Sequence, residues 1–247
     1  MLGRTHMAIG ALGAALTVPM LLHDANAHSM VIQSGRGVLT SVEQITAGIV
    51  VGALGGILPD LDQKDALMTR RIEGVGRAAT LIALGALLWT LHLWVQPIAW
   101  LGAFILYLAV VGHAEWMRKV SLILLALGTV GWGVTHKVWL EVAVLAAVWL
   151  VVTTFSAHRT FTHSLIGLGI AGLVLMRIGT HAHMPWLAEI TLLGYVLHLT
   201  ADAIAGGISL LWPYKGRQGL RLVTTGGLRD HLIGGVCTLL VLVVVFL

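Results

Sequence analysis

Nine apolar runs, each parted from the next by a short polar break, cover most of this chain. They lie near 7–22, 40–58, 78–95, 97–112, 120–135, 138–155, 164–179, 187–205 and 231–247. Several approach the roughly 20 residues that a spanning helix needs, and the shorter ones are read as short or tilted. Inside a bilayer the backbone must satisfy its own hydrogen bonds, so runs of this length fold as helices. The expectation is an all-α, polytopic transmembrane bundle of about nine helices, with only the Gln96-Pro97 turn between the 78–95 and 97–112 runs. Charged residues make up 11% of the chain, against about 25% in a soluble domain. No long polar stretch remains for a second domain, so residues 1–247 form a single membrane-embedded unit. Cys237 is the lone cysteine, which excludes an intrachain disulfide and thiolate metal clusters.

The charges also orient the bundle. With the N-terminus cytoplasmic and every run crossing, the inner side holds Arg4, Lys64, Arg70, Arg71, Arg77, Arg118, Lys119, Arg159, Lys215, Arg217, Arg221 and Arg229. The outer side holds only Arg36, Lys137 and Arg177. This is the positive-inside asymmetry, and it accounts for the net charge of +4 without a nucleic-acid partner. The opening MLGRTHMAIGALGAALTVPMLLHDANA also has the form of a signal peptide with an A-x-A ending at Ala27. It is read as the first membrane helix. Gly-rich patches such as GALGG (52–56) and GLGIAG (167–172) permit close helix packing.

Ionisable residues in or beside membrane helices are costly, and they point to function. On this topology His6 opens the first helix on the inner side, and Asp60 and Asp62 in GGILPDLD close the second there. His158 and His163, in HRTFTHS, lie in the inner loop between the sixth and seventh helices. His198 and Asp202, four apart on one helical face, end the eighth. Taken singly, each has a plain structural explanation: a terminal histidine, a helix-ending turn, a solvated loop. Those explanations do not account for convergence on one membrane level. Imidazoles and carboxylates without thiolates suit zinc, with manganese or iron as alternatives, and seven ligands exceed the needs of one ion. Two or more ions fit a phosphoester displacement. Arg159 supplies a planar, permanently charged group for a phosphoryl oxygen, and Asp62 or Asp60 a carboxylate that bridges metals or takes a proton from water. Thr5, Thr162 and Ser164 are placed to orient ligands. His23, Asp24, His28, His136, His181 and His183 fall in outer loops, and His92 near the outer end of its helix. On the inner side His113 with Glu115, and Asp230 with His231, are left over, Asp230 being the better reserve ligand.

RTHMAIG, GGILPDLD, HRTFTHSL and HLTADAIAGGISLLWP together resemble the YdjM-type family of bacterial inner-membrane proteins, described as membrane-bound metal-dependent hydrolases. The motifs reach from the first residues to Pro213. The resemblance implies a bacterial inner-membrane location and carries over His6, Asp60, Asp62, His158, Arg159, His163, His198 and Asp202 as the site. The ligand order is also similar to that of zinc-dependent phospholipase C and the P1-type nucleases, which implies phosphoester chemistry. Relative to shorter family members, 78–119 looks like an insertion: two helices and a loop, 113–119. The leading expectation is a hydrolase that uses a metal-activated water on a lipid or lipid-linked phosphoester at the cytoplasmic face. A metal transporter or sensor, and a scaffold with a structural metal, are the alternatives. The sequence leaves the oligomeric state open.

Overall fold

The computed structural model describes residues 1–27, 33–34, 37–38, 41–63, 67–112, 114–214 and 216–246. Arg36, His28, Lys64, His113 and Lys215 therefore lie outside the described residues. Among those described there are nine α-helices: α1 (Gly3–Ala27), α2 (Ser41–Gly55), α3 (Leu67–Thr90), α4 (Pro97–Val111), α5 (Ala114–Thr135), α6 (Leu140–Phe155), α7 (Leu165–His181), α8 (Pro185–Ala205) and α9 (Leu228–Phe246). Six segments are long and apolar enough to cross a membrane: 43–62, 72–90, 115–135, 137–155, 185–205 and 228–246. Two shorter apolar segments lie in α4 and α7. The expected helical bundle is present, and the nine runs map one to one onto the nine helices.

Three helices form its centre. α1, α2 and α8 pack on one another, α7 lies on α8, α6 on α7, and α5 on α6. α9 lies against α1, while α3 and α4 lie outside α5. Glycines set the close approach of the central three. A Cβ at Gly10 or Gly194 would collide with the Gly52 carbonyl, and one at Gly55 with that of Thr191. This is the small-residue packing expected of GALGG. In the second patch, by contrast, only Gly167 meets backbone, at Phe161; Gly169 faces open space.

The outer surface is apolar. Leu101, Phe104 and Ile105 of α4, and Leu232, Leu239 and Phe246 of α9, are exposed, as lipid-facing side chains are. Trp89, Trp94, Trp132 and Trp139 gather where α3, α5 and α6 meet their turns, with Trp89 stacked on Trp94 and Trp132 on His136. Tryptophan at such turns suits the membrane–water interface. The first residues of the expected 113–119 loop prove helical from Ala114 onward, as the start of α5. Arg118 explains this: its guanidinium is buried and reaches the carbonyls of Thr153 and Thr154 at the end of α6.

Candidate metal centre

At the end of the bundle opposite those tryptophans, four chain segments meet. α1 brings His6 on its first turns. After α2 the chain tightens into a 3₁₀ turn, Leu58–Asp62, opened by Pro59, which buries both Asp60 and Asp62. The α6–α7 connection brings His158, Arg159 and His163; its end is fixed by Ser164, whose Oγ caps α7 by accepting from the Gly167 amide at 3.1 Å. The last turns of α8 bring His198 and Asp202. All seven expected ligand residues are thereby brought together, although His6 and Asp202 lie far apart in the chain.

Two groups have ligand atoms within 4.8 Å of one another: His6, His198 and Asp202, and Asp60, His158 and His163. Each could hold a metal ion. The groups adjoin, because His163 Nε2 and His198 Nε2 are 3.0 Å apart. Around that pair stand Asp60 Oδ1, 3.8 and 3.7 Å away, and Asp202 Oδ2, 3.6 and 4.0 Å away. Such separations bracket the roughly 3.3–3.5 Å between ligand atoms of one ion with bonds of about 2.0–2.2 Å.

The hydrogen bonds behind the histidines decide where their protons sit. His198 Nδ1 donates to the Gly56 carbonyl at 2.7 Å, and His158 Nδ1 to Asp62 Oδ1 at 2.8 Å. Thr162 Oγ1 donates its proton to Asp62 Oδ2 at 2.7 Å, so at 3.0 Å it can only accept from His163 Nδ1. Each ring thus has a proton on Nδ1 and turns its Nε2 toward the centre of the site. His163 Nε2 and His198 Nε2 therefore meet at hydrogen-bonding distance beside the carboxylates of Asp60 and Asp202. A divalent ion bound there would displace the proton that the two rings share. His6 stacks on His198 at 3.7 Å, with its Nε2 3.1 Å from Asp202 Oδ1, and neither of its ring nitrogens has a hydrogen-bond partner. The donor set therefore fits a divalent ion of the nitrogen- and oxygen-loving kind.

Charge points the same way. Asp60, Asp62 and Asp202 are all buried, and buried carboxylates persist only when compensated. Arg159 Nε lies 3.1 Å from Asp202 Oδ2, and the Met1 amino nitrogen lies 2.6 Å from Oδ1. His163 feels burial most, which lowers its proton affinity. The contact with Asp202 and the charges of Asp62 and Asp60 outweigh it, so its pKa is raised.

Asp62 belongs to neither metal-holding group. Its oxygens are taken by His158, Thr162 and, at 3.1 Å, the Arg159 amide. Arg159 sits in the left-handed region at φ 62°, a strained conformation for a non-glycine residue. Its amide bond to Asp62, and its carbonyl, which accepts from Ser209 N at 3.3 Å, hold it there. His158 and Arg159 keep about 34% and 16% of their side-chain surface exposed, so this is the rim of an otherwise closed site. Sequence reading passed over two supports. Tyr195, fully buried, donates to the Thr162 carbonyl, and the Gly56 carbonyl orients His198. An aromatic three residues before His198 on α8 was the signal for Tyr195; a backbone carbonyl carries none. Asp230 is adjacent but engaged elsewhere, its Oδ2 accepting from Leu2 N and Gly226 N at 2.9 and 2.8 Å. Thr5 reaches the Asp230 carbonyl rather than a ligand.

The profile of the YdjM inner membrane protein family matches residues 1–247. The chain belongs to that family. The YdjM assignment gives an inner-membrane location and agrees with the apolar surface described above. No curated protein and no solved structure gives a significant match, so it is the site's own geometry that speaks to chemistry.

Proposed function

We propose that this YdjM-family protein is a membrane-embedded, metal-dependent hydrolase that cleaves a phosphoester of a lipid or lipid-linked substrate at the cytoplasmic face. The observation that carries the reading is the meeting of two buried His/Asp groups, each able to hold an ion, where His163 Nε2 and His198 Nε2 lie 3.0 Å apart. Zinc, or manganese or iron, suits these ligands, and two adjoining groups suit two ions. When bound, the ions supply Lewis-acid polarisation of a phosphoryl oxygen and lower the pKa of water.

The residues divide the remaining work. His6, His198 and Asp202 hold one ion, and Asp60, His158 and His163 the other. Asp62 acts from behind: Oδ1 keeps the His158 proton on Nδ1, and Oδ2 fixes the Thr162 hydroxyl that orients His163. Arg159 is the phosphate partner. Its Nε is spent on Asp202, while its two terminal nitrogens make no hydrogen bond among the described residues, at the rim where substrate enters. Among the described residues, both groups that could hold an ion lie at one end of the bundle. That arrangement favours a site open to one face over a transport path.

The test separates the residues. Metal-loaded protein in detergent is assayed with Zn²⁺ or Mn²⁺ against a panel of phospholipid and lipid-linked phosphoesters. His163→Ala loses metal and turnover together. Arg159→Ala keeps its metal and loses transition-state stabilisation worth about 2–4 kcal/mol, by analogy with removal of one oxyanion donor. Arg159→Lys recovers only part, because an ammonium lacks the two-pronged donor geometry. Equal turnover in wild type and both Arg159 variants, or none above background across the panel, removes the hydrolase reading.

A further inference from the structure

α9 packs along α1, with Ile233 also reaching Ala201 and Ala205 of α8, and the seam between α1 and α9 is not filled. Opposite α1, the α9 face made by His231, Gly235, Leu239 and Leu242 borders a hollow of about 460 Å³, which Arg4 and Thr5 close from the α1 side. That volume is typical of small-molecule sites. From His231 to Leu242 the groove runs about 16 Å along the helix at 1.5 Å per residue. This is close to half the roughly 30 Å hydrocarbon core, the depth of one leaflet. Its deep end is apolar. Its shallow end, on the same side as the metal centre, carries Arg4 and His231, and no carboxylate lines the groove. Among the described residues neither side chain has a hydrogen bond or ion pair. A permanent cation with no partner among the described residues, at the mouth of an apolar slot one leaflet deep, matches a lipid phosphate above its own acyl chain.

We propose that the α1–α9 groove is a binding site for one anionic phospholipid, with a chain along Gly235, Leu239 and Leu242 and its phosphate at Arg4. The site is distinct from the metal centre. Arg4 and His6 are two residues apart on α1, about 200° around the helix, so they look to opposite sides. The wall between the two sites is Thr5, which is buried and tied to the Asp230 carbonyl.

Native mass spectrometry of the detergent-solubilised full chain, titrated with phosphatidylglycerol and phosphatidylcholine of identical palmitoyl-oleoyl chains, tests this. Wild type retains a single phosphatidylglycerol about fivefold more tightly than phosphatidylcholine, the equivalent of about 1 kcal/mol for one cation at the membrane surface. Arg4→Gln erases the headgroup preference while still retaining lipid. Gly235→Leu reduces retention of both lipids; a Cβ there meets nothing within 4 Å, so the added side chain fills the hollow without pressing on α1. Metal content stays at the wild-type level in both variants, which separates loss of lipid from loss of fold. Equal retention of the two lipids by wild type, unchanged retention in Gly235→Leu, or a lipid-free dimer in place of a lipid-bound monomer overturns the proposal.

Discussion

At His163, burial and charge oppose each other, and charge wins. Desolvation disfavours the imidazolium, but Asp202, Asp62 and Asp60 surround it closely enough to raise its pKa above the ordinary value of about 6.5. In the metal-free protein, the stability contributed by that proton is fully present below the ordinary value and is lost as pH rises through the raised one. For metal the sign reverses, because the proton competes for Nε2. Occupancy is therefore expected to fall on acidification, beginning above pH 6.5. Metal analysis after dialysis at stepped pH measures this; full occupancy retained to pH 5 would contradict it. At this scale the sequence named seven candidate positions that the fold brings together, since an ionisable residue stands out in an apolar helix. It did not divide their labour. Asp60 and Asp62 are equivalent in a string reading PDLD. Only the 3₁₀ turn separates them, directing one toward His163 and His198 and the other toward the histidine backs.

Among the helices, the decisive contact is glycine on backbone. A Cβ on Gly56 would press on the His6 carbonyl, forcing α1 away from the turn that carries Asp60. Gly56→Ala is expected to cost about 1–3 kcal/mol, as overpacking does, and to weaken metal binding by shifting His6. Gly169→Ala, with open space around its Cβ, should cost nothing and gain slightly from helix propensity. Thermal unfolding of the two variants by fluorescence, with metal analysis alongside, reads both effects; equal melting temperatures would refute the packing argument. Helix number and order were legible in the sequence because apolar runs measure membrane thickness. Helix ends were not. α3 begins at Leu67 and α5 at Ala114, well before their apolar runs, because Arg, Lys and Glu are good helix formers and these added turns bury Glu73 and Arg118 within the bundle. Pro97 did mark an end correctly: it opens α4, where its missing N–H is harmless.

For the molecule as a whole, the Lys and Arg distribution predicts which way the bundle faces, and His6, Asp62, His163 and Asp202 meeting at one end agrees with alternating crossings. In a Cys237→Ser background, a cysteine at Arg36 should react with an impermeant maleimide in intact cells. One at Lys215 should react only after the membrane is opened. Labelling of both from one side would end this orientation and, with it, the cytoplasmic placement of the site. Family membership and a multi-pass architecture were readable from motifs and hydropathy, whereas the groove beside α9 was not, since it lies along the seam of two helices from opposite ends of the sequence. The wide spacing of the ligands also sets a timetable for biogenesis. His6 is synthesised with α1, and Asp202, the carboxylate it faces, with α8. Through most of translation and insertion His6 has no carboxylate from α8 to meet, and Asp60 lacks His163 and His198. Ion capture by the complete centre, on the proposed function, therefore waits for α8 to dock, which makes a bound metal a late marker of bundle assembly.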